Sequence, residues 1–577
     1  MHCSPHFPVM HFPFPIPYYI PACANNKMLL NLLFLTQTTY ALSSWLGLDS
    51  QYPLSRCHDL NDYQPFTEDF NVFVNNTLSE FLAPGLAVAI VQGDATYAKG
   101  YGYSNIEQWE EMTPQTLFFA GSTTKSFTAA TMSKLVESNE SAYAAIEWDS
   151  KLASLIREDF VLSDAYASNH ISLTDALSHR TGMPRHDISW VNGNVSVKQQ
   201  VEQLRHLPFH RELRAGWEYC NLMFTAVSHA IETVTKSSMA TLLKQWMWEP
   251  LGMHETFYNL ADALNYAENS GGNVTMATGY LYDNVTSHSM VPVPFSHIPP
   301  ENGAGGVISN VLDYTKWIRT FLRPENSSNP ISAQTVKMMT SAHMPVPGTS
   351  WPYTGGMSWY GLGLTGGIYK DLVVNGHDGA INGYMTSMLW VPERDFGVAV
   401  MQNAYSLAAT IVLWEIIDDF LQVPVNEKLD GAAMARKYQA DQLTRLANSR
   451  ERLYPGSAGV TPVKPSLPLQ AYEGTYRHPA YHEFTVTTSR GDTQDVQNTP
   501  PSLFMAPAEG AYLNVSATLQ HVNGEHWLAQ FHMGTPGNFM VEDAVKSRFE
   551  IGVSGDVQGL WFQAEPALAE LAWFEKV

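Results

Sequence analysis

Ser122-Thr123-Thr124-Lys125 follows Phe118-Phe119-Ala120-Gly121 and opens a long amphipathic segment. On a helix that begins near Ser122, residues three apart share a face, so the Lys125 amine lies one turn from the Ser122 hydroxyl. Lys125, Ala129, Met132 and Val136 recur at helical spacing, which puts the lysine on the apolar stripe. Burial there disfavours the ammonium and lowers its pKa, while a helix N-terminus favours negative charge developing on the serine oxygen. The pair therefore has the makings of an activated nucleophile. The plainer alternative is a serine that caps a helix and a lysine that snorkels to water.

A serine nucleophile needs a proton shuttle and donors for an oxyanion. Tyr219-Cys220-Asn221 stands just before a helical pattern whose inward face is Met223, Val227, Ala230 and Val234, and Tyr219 is the candidate shuttle. Two other Tyr-x-Asn matches fit less well. Tyr103-Ser104-Asn105 lies in a strand ahead of the serine, and Tyr282-Asp283-Asn284 runs into a sequon. His377-Asp378-Gly379 ends an apolar strand. Gly379 would let the backbone come close to a ligand, and the amides of Ala380 and Ser122 would complete an oxyanion hole. His532-Met533-Gly534 competes from beyond a linker.

The 577 residues exceed what one core usually supports, and 45% hydrophobic with 15% charged residues describes packed globular domains. The net charge of −22 argues against nucleic acid and anionic membranes as partners. The four cysteines, Cys3, Cys23, Cys57 and Cys220, have no metal-ligand spacing. No metal or cofactor is expected. Lys27 and the apolar run from Met28 to Leu35, continuing to Ala41, read as a secretory signal too short to span a bilayer, behind an unusual Pro- and His-rich leader; Met28 is a candidate start. Sequons at Asn75, Asn139, Asn194, Asn273, Asn284, Asn326 and Asn514 fit a secreted glycoprotein, in which Cys57 and Cys220 alone would remain to pair. The alternative is an intracellular protein with a buried N-terminal helix.

Apolar patterning predicts a helix over Phe66 to Phe81, a strand pair over Leu86–Val91 and Thr96–Tyr103, and later strands over Leu372–Asn375, Tyr384–Val391 and Phe396–Met401. A helix over Ser406 to Leu421 closes the unit. The two strand groups are expected to share one antiparallel sheet, with a mainly helical middle inserted between them. Residues 1–55 form the leader, 56–423 the main domain, 424–468 a helical and then Pro- and Gly-rich linker, and 469–577 an all-β sandwich or small barrel.

Taken in order, the three motifs resemble the serine β-lactamase and penicillin-binding protein superfamily, particularly its class C-like, esterase and D-aminopeptidase branch of S12 peptidase type. Pro84-Gly85, Leu177 to Pro184, Gly303-Ala304-Gly305-Gly306 with Ile308-Ser309, and Tyr360-Gly361-Leu362-Gly363-Leu364 agree with it. The resemblance implies an α/β domain with an antiparallel sheet, an all-helical subdomain, and a cleft between them. In that cleft Ser122 would be the acyl-enzyme nucleophile, Lys125 and Tyr219 would share base and acid duties, and Asn221 would touch the acyl side chain. Tyr472-Glu473-Gly474-Thr475-Tyr476 looks like the start of the lipocalin-like domain of some D-aminopeptidase and esterase relatives. His377 stands where penicillin-processing members carry the lysine of Lys-Thr-Gly, and Asp378 beside it would repel an anion. Ester, amide or peptide substrates are therefore expected ahead of β-lactams. An acyltransferase would use the same residues, a silent binding protein would have no need of them, and the oligomeric state is open.

Overall fold

The structure is a computed structural model that describes residues 64–191, 194–283, 287–295, 298–347, 357–488, 502–507, 511–512, 515–533 and 540–577. The leader with its signal-like run, Cys3, Cys23 and Cys57, and the sequon residues Asn284 and Asn514 lie outside them.

Strand β1 (Gly85–Gln92) is buried at all eight positions, and alternation explains why it reads as a continuous apolar run. Ala87, Ala89 and Val91 face one core, and Leu86, Val88 and Ile90 face another. Around it lie β2 (Ala95–Asn105), β3 (Glu110–Glu111), β4 (Met344–Pro345), β5 (Ser358–Tyr360), β6 (Thr365–Tyr369), β7 (Leu372–Ile381), β8 (Tyr384–Val391) and β9 (Phe396–Gln402). They form one antiparallel sheet in the order β3-β2-β1-β9-β8-β7-β6-β5-β4. The N-terminal pair and the late strands are joined by β1 against β9, as their patterns imply.

Helices α1 (Glu68–Glu80) and α5 (Ala408–Phe420) cover the face that bears Leu86 and Val88. The other face carries α2 (Thr124–Val136) and α4 (Val311–Leu322), with α3 (Asn221–Thr235) in the helical layer behind α2. Helix α2 is not the amphipathic element its spacing suggests. Thr124 through Ser133 are all buried, because the helix is packed on every side. Its hydroxyls are satisfied by backbone carbonyls, Ser126 Oγ donating to Thr123 O and Thr131 Oγ1 to Phe127 O.

Beyond α6 (Gly431–Ala447) the chain closes an eight-stranded antiparallel barrel: β10 (Gly474–His478), β11 (His482–Thr488), β12 (Ser502–Pro507), β13 (Val515–Asn523), β14 (His526–Met533), β15 (Met540–Ile551), β16 (Val557–Phe562) and β17 (Ala572–Lys576). Closure removes both sheet edges. Tyr476, Trp527, Phe549, Phe562 and Phe574 fill the interior, each at 1% exposure or less. Of the two all-β forms the sequence allows here, the small barrel is the one that forms. No helix among the described residues is long and apolar enough to cross a membrane.

Candidate active site

Ser122 sits in a tight turn, Gly121–Thr123, that runs straight into α2. That turn packs against β7. A Cβ on Gly379 would fall 2.0 Å from Ala120 O, and one on Gly121 would fall 2.7 Å from the Ala380 nitrogen. Two glycines thus allow the strand and the serine turn to touch, which brings the Ser122 and Ala380 amides to the same spot. His377-Asp378-Gly379 lies within β7 rather than at its end.

Lys125 is fully buried. Its Nζ donates to Ser122 Oγ at 3.0 Å and to Ala304 O at 2.9 Å, and it lies 4.9 Å from the centre of the Tyr219 ring. Burial pulls its pKa down to about 7. Tyr219 also reaches Ser122, its hydroxyl donating to Oγ at 2.8 Å. Burial pushes the phenol above its usual range and keeps it protonated. His179 supports this tyrosine, with ring centres 4.2 Å apart, and its Nδ1 accepts the Cys220 amide at 3.1 Å. Cys220 is a free, fully buried thiol, and burial pushes its pKa up, away from reactivity. Of the three Tyr-x-Asn segments, Tyr219-Cys220-Asn221 is the one that meets Ser122.

A cleft open to solvent lies over Ser122 and is lined also by Asn221 and Ala380. Asn221 is the first residue of α3, and its Nδ2 donates to Asp187 Oδ1 at 3.2 Å. A carboxylate only accepts, so the amide must present its nitrogen there; its Oδ1, buried without a protein partner, is an acceptor.

His377 and Gly379 do not line the cleft. The His377 ring is buried behind Tyr219, with Nδ1 donating to Asp378 O at 2.5 Å and Nε2 accepting the Tyr360 hydroxyl at 2.8 Å. Burial and the nearby Lys125 amine hold its pKa at about 3, so it is neutral and offers no cation to a substrate carboxylate. Asp378 is exposed, and strand alternation puts it on the face of β7 opposite His377. His532 bonds Thr518 in the wall of the barrel, far in the chain from the serine.

Arg185, Asp187 and Glu301, which no motif marks in the sequence, also line the cleft. Arg185 Nε pairs with Asp187 Oδ2 at 2.5 Å, and its guanidinium lies 4.8 Å from the Tyr219 ring centre. Arg180 is paired with Asp175. Asp187 also accepts Trp190 Nε1 at 2.9 Å. Glu301 takes the Thr225 hydroxyl on Oε1, and burial raises its pKa to about 8. Arg185 directly follows the Leu177 to Pro184 segment, and that adjacency is the one signal the sequence offers.

Residues 74–420 match the model of the Beta-lactamase family, well over half of the chain. The chain belongs to that family. Residues 459–576 match a domain described as of unknown function, DUF3471. An unguisins hydrolase of Aspergillus campestris is 33% identical over 498 residues, 84% of this chain and 90% of the relative. A D-aminopeptidase of Gluconobacter oxydans is 24% identical over 62% of this chain and 63% of the relative. Among solved structures, the octameric penicillin-binding protein homologue from Pyrococcus abyssi shares the fold, with a TM-score of 0.54 at 21% identity over 88% of this chain and 99% of that one. Family membership and hydrolase-named relatives together make this protein a serine hydrolase.

Proposed function

We propose that the protein cleaves an amide or ester bond through an acyl-enzyme on Ser122, with a peptide or related small molecule as substrate. The observation that carries this reading is the convergence of two buried side chains on one oxygen: Lys125 Nζ and Tyr219 OH both lie within 3.0 Å of Ser122 Oγ. Lys125, half deprotonated near neutral pH, takes the Oγ proton as Oγ bonds the carbonyl carbon. The amides of Ser122 and Ala380 hold the oxyanion. Tyr219 passes a proton to the departing amine or alcohol, and water, activated by the same two groups, releases the acyl product. Hydrolysis is supported over acyl transfer by the relatives, which are named a hydrolase and an aminopeptidase.

Amide and ester substrates are favoured over β-lactams because position 377 is a neutral, buried histidine and because Asp187 neutralises Arg185. A panel of D- and L-amino acid amides, p-nitrophenyl esters and nitrocefin, run with and without an added alcohol, tests this. Free acid from amides or esters is expected. Nitrocefin turnover matching the best ester would return the site to β-lactam chemistry, and predominant ester formation with the alcohol would make it a transferase. Secretion is also part of the proposal. Asn75, Asn139, Asn194, Asn273 and Asn326 are all exposed, as glycan acceptors must be. Deglycosylation of protein from its own secreting host should lower its mass; an unchanged mass would count against it.

A further inference from the structure

The wall of the cleft that carries Arg185, Asp187, Trp190 and Val191 hangs on a backbone kink. His186, between the arginine and the aspartate, has φ +50°, a left-handed conformation that a side chain makes costly. Such a conformation persists only where its surroundings hold it, and here the barrel does so.

The His186 amide donates to Glu565 Oε2 at 2.6 Å. Glu565, in the segment between β16 and β17, is 3% exposed, and its other oxygen accepts the Ala567 amide. The His186 ring is fixed as well. Its Nε2 faces Pro208 O at 2.9 Å and must donate, so Nδ1 accepts the Tyr481 hydroxyl at 2.6 Å. One residue on, His482 Nε2 donates to Ser189 O at 3.0 Å, behind Trp190. From β13, Val515 enters the cleft lining itself and, like Tyr405, packs against Leu281 and Val293. Backbone and side-chain atoms of the kink are thus bonded to two separate segments of the barrel, and a third segment forms part of the cleft.

We propose that the C-terminal barrel is the specificity half of this active site: Glu565 and Tyr481 hold the His186 kink that aims Arg185 and Asp187 into the cleft, and Val515 limits the depth available to an apolar substrate side chain. The barrel contributes no group to the proton path. Glu565 and Tyr481 are positioning residues, and Val515 determines specificity. The inference rests on the reading of Ser122 as nucleophile. It goes beyond that reading because it assigns a role to a domain of 118 matched residues, 459 to 576, described as of unknown function.

The test uses the full chain and a series of p-nitrophenyl esters from acetate to octanoate, with rates normalised to the fraction of enzyme labelled by a fluorophosphonate. In the Val515→Trp variant the octanoate-to-acetate ratio of kcat/KM should fall about tenfold or more, the scale on which pocket fit discriminates. Tyr481→Phe, which removes one hydroxyl, and Glu565→Leu should raise KM for the long esters more than they lower kcat, flattening the ratio. Glu565→Gln keeps one carbonyl acceptor and should fall between wild type and Glu565→Leu. A merely structural barrel would lower all esters in proportion to the labelled fraction, leaving every ratio at the wild-type value. That result overturns the proposal. A wild type that fails to label at Ser122 overturns the nucleophile reading instead, and this inference with it.

Discussion

Two sides of one cleft are built in different ways. On the reacting side, Ser122 and Lys125 are three residues apart on one turn, and a sheet strand and two helices enclose them. On the opposite side, the Arg185–Val191 wall depends on bonds that reach 295 and 379 residues along the chain, to Tyr481 and Glu565. The first side is locally encoded and closely packed. The second is assembled across domains through a few polar contacts and a strained residue. Chemistry can therefore stay constant while the selectivity wall varies, because the two are supported by different parts of the molecule.

The comparison is broken most severely at the serine. Ser122→Ala should lower turnover roughly 10⁵- to 10⁶-fold, and since the Ser122 side chain caps no helix its stability cost should stay within about 1 kcal/mol. Steady-state kinetics and thermal melts read both quantities. Next come Lys125→Ala and Tyr219→Phe, each expected to slow acylation by about 10²- to 10⁴-fold. Their effects should not add, because both act on one proton path. Near wild-type rates in Tyr219→Phe would remove that residue from the path.

The pH profile sharpens the same side. A base acts only when deprotonated, and burial sets the Lys125 pKa at about 7. The acylation rate should therefore rise as pH increases through about 7 and level off above it, measured by the rate of covalent labelling from pH 5 to 9. A flat profile would mean that another group takes the proton.

Smaller effects come from the scaffold behind the serine. Gly379→Ala drives a methyl to 2.0 Å from Ala120 O, so β7 must withdraw from the serine turn; overpacking of this kind costs about 1–3 kcal/mol and should loosen the oxyanion site, seen as a fall in kcat more than a rise in KM. The smallest effect is expected from Tyr360→Phe, which leaves the buried His377 Nε2 without its donor at a cost of about 1–3 kcal/mol in chemical denaturation. An unchanged midpoint would mean that this bond contributes nothing net.

What could be read in the sequence follows the same division. Ser122 and Lys125 were legible because helical spacing converts three residues of separation into contact. The sheet was legible from strands such as Gly85–Gln92 and Tyr384–Val391, apolar on both faces. Helix α2 misled in one respect, since a helix buried on every side has no polar face to report. Asp187 and Glu301 look like ordinary charged residues until the fold buries them beside Asn221 and Thr225. Strands β12 and β13 leave a weak signal because Ser502–Pro507 and Val515–Asn523 mix apolar and polar residues of middling β preference. Nothing near Glu565 or Tyr481 in the chain hints at His186, because a contact at that separation leaves no local periodicity.

The central claim is that the oxygen met by Lys125 and Tyr219 is the nucleophile. Its most direct test is fluorophosphonate labelling of the full chain, followed by peptide mapping. One adduct on the peptide containing Ser122 is expected, with none in Ser122→Ala at an unchanged melting temperature. An adduct on any other residue, or equal labelling of the variant, would contradict it.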